Sequence, residues 1–229
     1  MKVVALLPMK ANSERVPGKN FKELAGKPLY RWILDSLLAV SEIDCVIINT
    51  DARHILNQSG LYDSDRVKIR ERPAELCGDF VSMNLIIEND MENVPADIYI
   101  MTHTTNPLLS SSTLRGALKN YQAETSNSGA DSLFGVTKFQ TRFYRADGEA
   151  INHDPSNLIR TQDLEPWYEE NSCVYIFNKT SFERTSARIG AKPVLYEIPK
   201  LEAIDIDEKE DWFIANAIAN ELMKDKLDA

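Results

Sequence analysis

The sequence predicts an α/β protein of three layers, with a mostly parallel sheet covered by helices on both faces. Two observations carry that expectation. Strand-like and helix-like segments alternate through the first half of the chain, the rhythm of a parallel sheet with crossover helices. The strand-like runs are also short and mostly apolar, as strands buried on both faces must be. With 229 residues and 43% hydrophobic content, the chain suits one large domain that buries a full core without a disulfide or metal staple.

The elements follow in order. VVALLP (3–8) is the first buried strand. Pro28 opens a helix in which Leu29, Trp32, Ile33, Leu37 and Val40 share one face. CVIINT (45–50) is the second strand, and Asp51 is placed to N-cap the helix after it. RVKIRE (66–71) is a weaker, alternating strand, followed by a helix from about Val81 to Met91. DIYIMTH (97–103) is the next strand, SSSTLRGALKNYQAE (110–124) a serine-capped helix, and DSLFGVT (131–137) another strand. The rhythm then breaks. Residues 139–170 are polar, aromatic-rich and punctuated by Gly and Pro, and read as a small excursion from a single domain spanning 1–229. SCVYIF (172–177) and PVLYEIP (193–199) return as regular segments. A last helix, from about Glu208 to Met223, carries Trp212, Ile214, Ala215, Ile218 and Leu222 as its apolar stripe. Trp32 and Trp212 are read as core.

The net charge of −9 argues against a sequence-independent nucleic-acid binder, which needs a basic face, but leaves room for a local basic pocket. Cys45, Cys77 and Cys173 are far apart and show no metal-ligand spacing, so three reduced thiols in a cytoplasmic protein are expected. The opening apolar run is too short for a signal peptide. No stretch approaches the roughly 20 apolar residues of a membrane helix, so no membrane partner is expected.

Three stretches carry chemistry. LPMKANSERVPGKN (7–20) leaves the first strand with Lys10, Arg15 and Lys19 beside Asn12, Ser13 and Gly18. Such a loop suits a polyphosphate, with backbone N–H groups and Ser13 donating and the cations neutralising charge. The alternative is an ordinary solvated loop. It matches neither the dinucleotide fingerprint nor the P-loop. In AIDIDEKEDW (203–212), strand alternation would put Asp205 and Asp207 on one face, where a cation relieves their repulsion; the alternative is that Asp207 caps the following helix. In RERPAELCGDF (70–80), Arg72 suits a phosphate, a base edge or a carboxylate, against the alternative of a surface turn. In a parallel sheet the opening loop, Thr50–Asp51, the Arg72 region and His103–Pro107 fall at the carboxyl ends of strands, where ligands bind.

Together and in this order, the stretches resemble the cytidylyltransferases that activate acidic keto-sugars, the acylneuraminate and 3-deoxy-octulosonate group, and the acylneuraminate enzymes above all. The family's opening pattern stands here as PMKANSERVPGKN with AGKPL at 25–29, and its S-T-D strand end as Asn49-Thr50-Asp51. Its RPAEL with a later Asp stands at 72–76 and Asp79, and its P-T-S-P-L loop as Thr104-Thr105-Asn106-Pro107-Leu108. Its N-[GS]-x-[VI]-Y-[IV] strand stands at 171–176, and its D-I-D at 205–207. The resemblance implies a Rossmann-like nucleotidyltransferase sheet and transfer of CMP from CTP to a sialic-acid-like or related 3-deoxy-ulosonic acid, with pyrophosphate released. It implies that Pro8, Lys10, Asn12, Ser13, Arg15, Lys19, Asn20, Arg72 and Asp79 bind CTP. Lys19, Lys10 and Asp207 would be catalytic, and Asp205 and Asp207 would hold magnesium. His103, Thr105, Asn106, Glu170 and Asn171 would face the acceptor. The family's homodimer is built through the excursion.

The chain also departs from the family. Lys10 stands for an arginine, His103 for a glutamine, Leu109 for an arginine, and Glu169-Glu170 for an Arg-Pro. Two arginines are thus missing on the acceptor side, and Arg142, Arg145 and Arg160 of the excursion are the candidates to replace them. The departures admit two alternatives: cytidylyl transfer to an amino-bearing phosphonate or another unusual acid, or a non-catalytic nucleotide-binding homologue.

Overall fold

The computed structural model describes residues 1–13 and 15–227. Seven strands make one sheet: β1 (Val3–Leu6), β4 (Cys45–Thr50), β5 (Val67–Glu71), β6 (Ile98–Thr102), β7 (Ser132–Phe139), β8 (Trp167–Phe177) and β9 (Pro193–Glu197). A separate antiparallel ribbon joins β2 (Glu23–Leu24) to β3 (Lys27–Pro28). The order in the large sheet is β5-β4-β1-β6-β8-β7-β9. Pairing is parallel from β5 through β6 and between β7 and β9, while β8 runs against both its neighbours. The helices are α1 (Leu29–Leu38), α2 (Arg53–Gln58), α3 (Met83–Asn93), α4 (Ser111–Ser128), α5 (Lys179–Thr185) and α6 (Lys209–Leu227).

The three layers follow from strand alternation. Val3, Ala5 and Leu7 point to one face and pack with Ile33 and Leu37 of α1 and Leu114 and Leu118 of α4. Val4 and Leu6 point to the other, against Ile87 and Met91 of α3 and Phe182 of α5. Each fully buried Val, Leu, Ile, Met or Phe side chain among them stabilises the fold by about 1.5–3 kcal/mol. A third cluster packs Ala215 and Ala219 of α6 with Leu24, Trp32 and Ile206.

Several local expectations are corrected. Asp51 does not cap α2, whose N-cap is Ala52; its carboxylate instead accepts from the Ala11 amide at 2.7 Å, because the opening loop brings an unpaired donor there. The 203–207 segment is not a strand, although Ile206 N–H donates to the Thr105 carbonyl at 2.8 Å. Asp207 does not cap α6; Asp211 reaches back to accept from the amides of Asp207 and Glu208. In α6 the buried residues are Ala215 and Ala219, with Trp212 and Ile218 partly buried against them, whereas Ile214 and Leu222 are exposed because only one narrow face meets the domain. β7 and β8 stay paired as far as Phe139 and Trp167, so residues 167–170 belong to the sheet and the excursion proper is 140–166.

Candidate active site

Because β5, β4, β1 and β6 are parallel, the loops that leave their carboxyl ends converge on one edge. A cavity of about 300 Å³ lies there, and Pro8, Lys10, Asn12, Ser13, Arg15, Lys19, Asn20, Arg72, Asp79, His103 and Thr105 all line it. Every residue expected to bind CTP is therefore at one cavity, although they come from separate loops.

The opening loop is held at defined points. Met9 N–H extends the sheet ladder to the Asn49 carbonyl at 3.0 Å. Asn20 is 7% exposed; its amide donates to the Lys10 carbonyl at 2.7 Å and accepts from the Thr104 hydroxyl at 2.6 Å. Gly18 adopts φ +64°, a left-handed turn suited to glycine, and starts the short turn Lys19–Phe21. That turn buries Lys19, whose Nζ donates to the Ile206 carbonyl at 2.6 Å and lies 3.7 Å from the Asp207 carboxylate. Burial lowers the Lys19 pKa, against the pull of Asp207 and Asp205. Arg15 pairs with Asp207 at 2.9 Å, and Lys10 with Asp79 at 2.5 Å.

Arg72 lines the cavity but is also part of its frame. Its Nε donates to Asn49 Oδ1 at 2.8 Å, and its Nη2 to the carbonyls of Asn49 at 2.8 Å and Met9 at 3.3 Å. Behind it, Asn49 Nδ2 donates to Asp90 at 2.8 Å, and Asp90 pairs with Arg70. Burial outweighs these partners and pushes the Asp90 carboxyl up to about 6. Asp90 escapes a sequence reading because one acidic residue on a helix looks like solvated surface.

Asp205 and Asp207 flank the buried Ile206. Burial, then Asp207, raises the Asp205 pKa, although Thr105 and Lys19 oppose it. Asp205 Oδ1 is buried without a partner among the described residues, which is the donor a cation would satisfy. No cluster of three or more acidic, His or Cys ligands exists among the described residues. The orphaned Asp205 oxygen beside the Asp207 carboxylate is a donor set that would fit magnesium held by two carboxylates with substrate phosphates completing its shell.

The acceptor-side expectations divide. His103 is half-buried; burial, with Arg188 and Lys19 nearby, pushes its pKa down to about 3 and keeps it neutral. Asn106 is corrected: it is fully buried, its amide donating to the Ile204 carbonyl at 3.4 Å. Asn171 is corrected too, with its amide donating to Thr137 Oγ1 at 3.1 Å and its carbonyl accepting from Cys173 N–H at 3.3 Å. The cause is a bulge at Gly135, where an added Cβ would lie 2.8 Å from Asn171 Oδ1, so the Asn171 side chain fills the space a larger residue would need. Glu170 lies in a second cavity of about 370 Å³ with Met83 and Arg188, and Met83 also lines the first. It accepts from the Tyr175 hydroxyl and lies 3.5 Å from Arg188. The arginines expected to compensate are committed within the excursion: Arg142 to the Ile159 carbonyl, Arg145 to Glu149 and Arg160 to Asp163. Arg188 had no motif to mark it.

A family model described as cytidylyltransferase matches residues 4–216. Similar proteins include the N-acylneuraminate cytidylyltransferase of Oncorhynchus mykiss, 28% identical over 93% of this chain and 49% of that protein, so the chain spans about half its length. The pseudaminic acid cytidylyltransferase of Campylobacter jejuni is 23% identical, over 95% of this chain and 96% of that one. The CMP-N,N'-diacetyllegionaminic acid synthase of Legionella pneumophila is 25% identical, with the same coverage. Among solved structures, CMP:2-keto-3-deoxy-manno-octonic acid synthetase in complex with CTP superposes with a TM-score of 0.67 at 15% identity, over 96% of this chain and 99% of that one. At that identity the match establishes the fold.

Proposed function

The chain belongs to the cytidylyltransferase family, and from that premise we propose that it transfers CMP from CTP to an acidic ulosonic sugar of the sialic-acid-like or 3-deoxy-octulosonic type. The observation that carries this reading is the convergence of the cationic opening loop and Arg72 on one cavity, with Asp207 paired to Arg15 and Lys19 of its lining.

The triphosphate lies along the opening loop, where Asn12 and Ser13 donate hydrogen bonds and Lys10 and Arg15 neutralise charge. Arg72 frames the cytosine pocket by holding the ends of β1 and β4 together. The acceptor hydroxyl oxygen attacks the α-phosphorus in line; its P–O bond forms as the bond to the β-phosphate breaks, the hydroxyl proton passes to solvent water and pyrophosphate leaves. Lys19, held by Ile206 and Asp207, stabilises the charge that grows on the transferring phosphoryl. Asp205 and Asp207 would hold magnesium, which when bound would lower the acceptor hydroxyl's pKa and offset the charge of the triphosphate.

We also assign the excursion to a homodimer contact, supported by its exposed Leu158 at 62% and the neighbouring Trp167 and Tyr168 at 40% and 45%. The cysteines are free thiols, which suits a cytoplasmic location; no helix among the described residues is long and apolar enough to cross a membrane. An amino-bearing acceptor is not required to satisfy Glu170, which already has Tyr175 and Arg188.

The test is pyrophosphate release from CTP and magnesium with an N-acylneuraminate, pseudaminic acid and 2-keto-3-deoxy-manno-octonic acid. Release with one of them is expected. CTP binding without release from any would leave a nucleotide-binding protein and remove the transferase reading.

A further inference from the structure

We propose that Arg188 takes the carboxylate of the acceptor sugar and so sets the requirement for an acid; this rests on the transferase reading above. Arg188 follows α5, after Ser186 turns the chain with φ +52°. Its guanidinium stacks on the Tyr175 ring at 4.0 Å. Nη2 donates to the Tyr175 hydroxyl at 3.0 Å and lies 3.5 Å from Glu170 Oε1. Both contacts fall on one nitrogen, leaving Nε and Nη1 without a partner among the described residues.

The guanidinium therefore stands on a stacked, hydrogen-bonded base with donors to spare, an arrangement suited to a planar carboxylate. It lines the second cavity, which shares Met83 with the lining of the first. Its field also reaches His103, whose charge it opposes. The other cations near the reaction are committed to the triphosphate side, and the excursion arginines to their own neighbours. Glu170 is the positioning residue: it accepts from Tyr175 and lies beside Arg188, tying both into one unit. The acidic replacement at this position is thus the counterpart of an arginine supplied from elsewhere in the chain.

The experiment compares wild type, Arg188→Ala and Arg188→Lys, using the three sugars named above and the same sugars with the carboxylate converted to an amide. Wild type should prefer acid to amide, and Arg188→Ala should raise the acceptor KM about tenfold to a hundredfold, the value of a hydrogen-bonded charge pair. The CTP KM should stay within about twofold, which also reports an intact fold, and Arg188→Lys should recover part of the loss. The variant's loss should be confined to the acid, so that Arg188→Ala no longer separates acid from amide. An active wild type whose Arg188→Ala variant keeps the full preference for acid overturns the assignment of Arg188 alone. A wild type that binds CTP but turns over none of the sugars overturns the transferase reading and this inference with it.

Discussion

The ammonium of Lys19, near the start of the chain, lies 3.7 Å from the carboxylate of Asp207, near its end. Lys19 lines the cavity of the opening loop, and its 2.6 Å bond to the Ile206 carbonyl holds it there. The chemistry therefore depends on two segments that share no local structure.

Replacing Lys19 with Met should separate binding from turnover. If Lys19 acts mainly on charge that develops during transfer, kcat should fall about a hundredfold to a thousandfold, as on loss of an oxyanion donor. The CTP dissociation constant, measured by calorimetry, should rise much less. Equal losses in both would make Lys19 a simple binding residue.

Asp205→Asn should raise the magnesium concentration needed for half-maximal turnover by about tenfold or more. Wild type with CTP present should show a magnesium-dependent rise in melting temperature that the same variant lacks, a readout that needs no catalysis. An unchanged magnesium response in both assays would remove the metal assignment.

Asp90 should leave a mark on the pH dependence of stability. Its folded pKa is raised from 3.8 to about 6, so the protonated form favours the fold. That contribution is complete below about pH 4 and is lost as pH rises through about 6, on the order of 3 kcal/mol in all. Asp90→Asn should therefore gain stability relative to wild type between pH 4 and 7, read as the difference in urea midpoints. A difference that does not change with pH would contradict the raised pKa.

The excursion predicts self-association. Sedimentation of wild type should give twice the chain mass, and charged residues at Leu158 and Trp167 should shift it toward one chain mass. Trp167 stacks on Phe143 at 5.2 Å, so Leu158→Glu alone serves as the variant that spares that internal contact. A monomeric wild type at micromolar concentration would remove the dimer.

The layers were legible because they follow from local periodicity. Alternation in β1 sends Val3 and Ala5 to one face and Val4 and Leu6 to the other, and nothing remote is needed to see it. The cavity lining was legible for a related reason: the cations, amides and Gly18 of its main wall sit together in one loop. Asn106 and Asn171 misled because a motif position does not reveal which way an amide points. The bulge at Gly135 and the packing of the 203–207 segment turn both inward.

By itself, the sequence determined the α/β rhythm, the cationic loop and the paired carboxylates, all of which are patterns among near neighbours. Tertiary structure alone decided which distant residues meet. Only the parallel arrangement of β5, β4, β1 and β6 brings the opening loop, Arg72 and His103 to one edge. Only the reversed direction of β8 carries Glu170 and Tyr175 to meet Arg188. Strand direction is set by long-range pairing, so the contacts of Arg188 were invisible until that pairing was known.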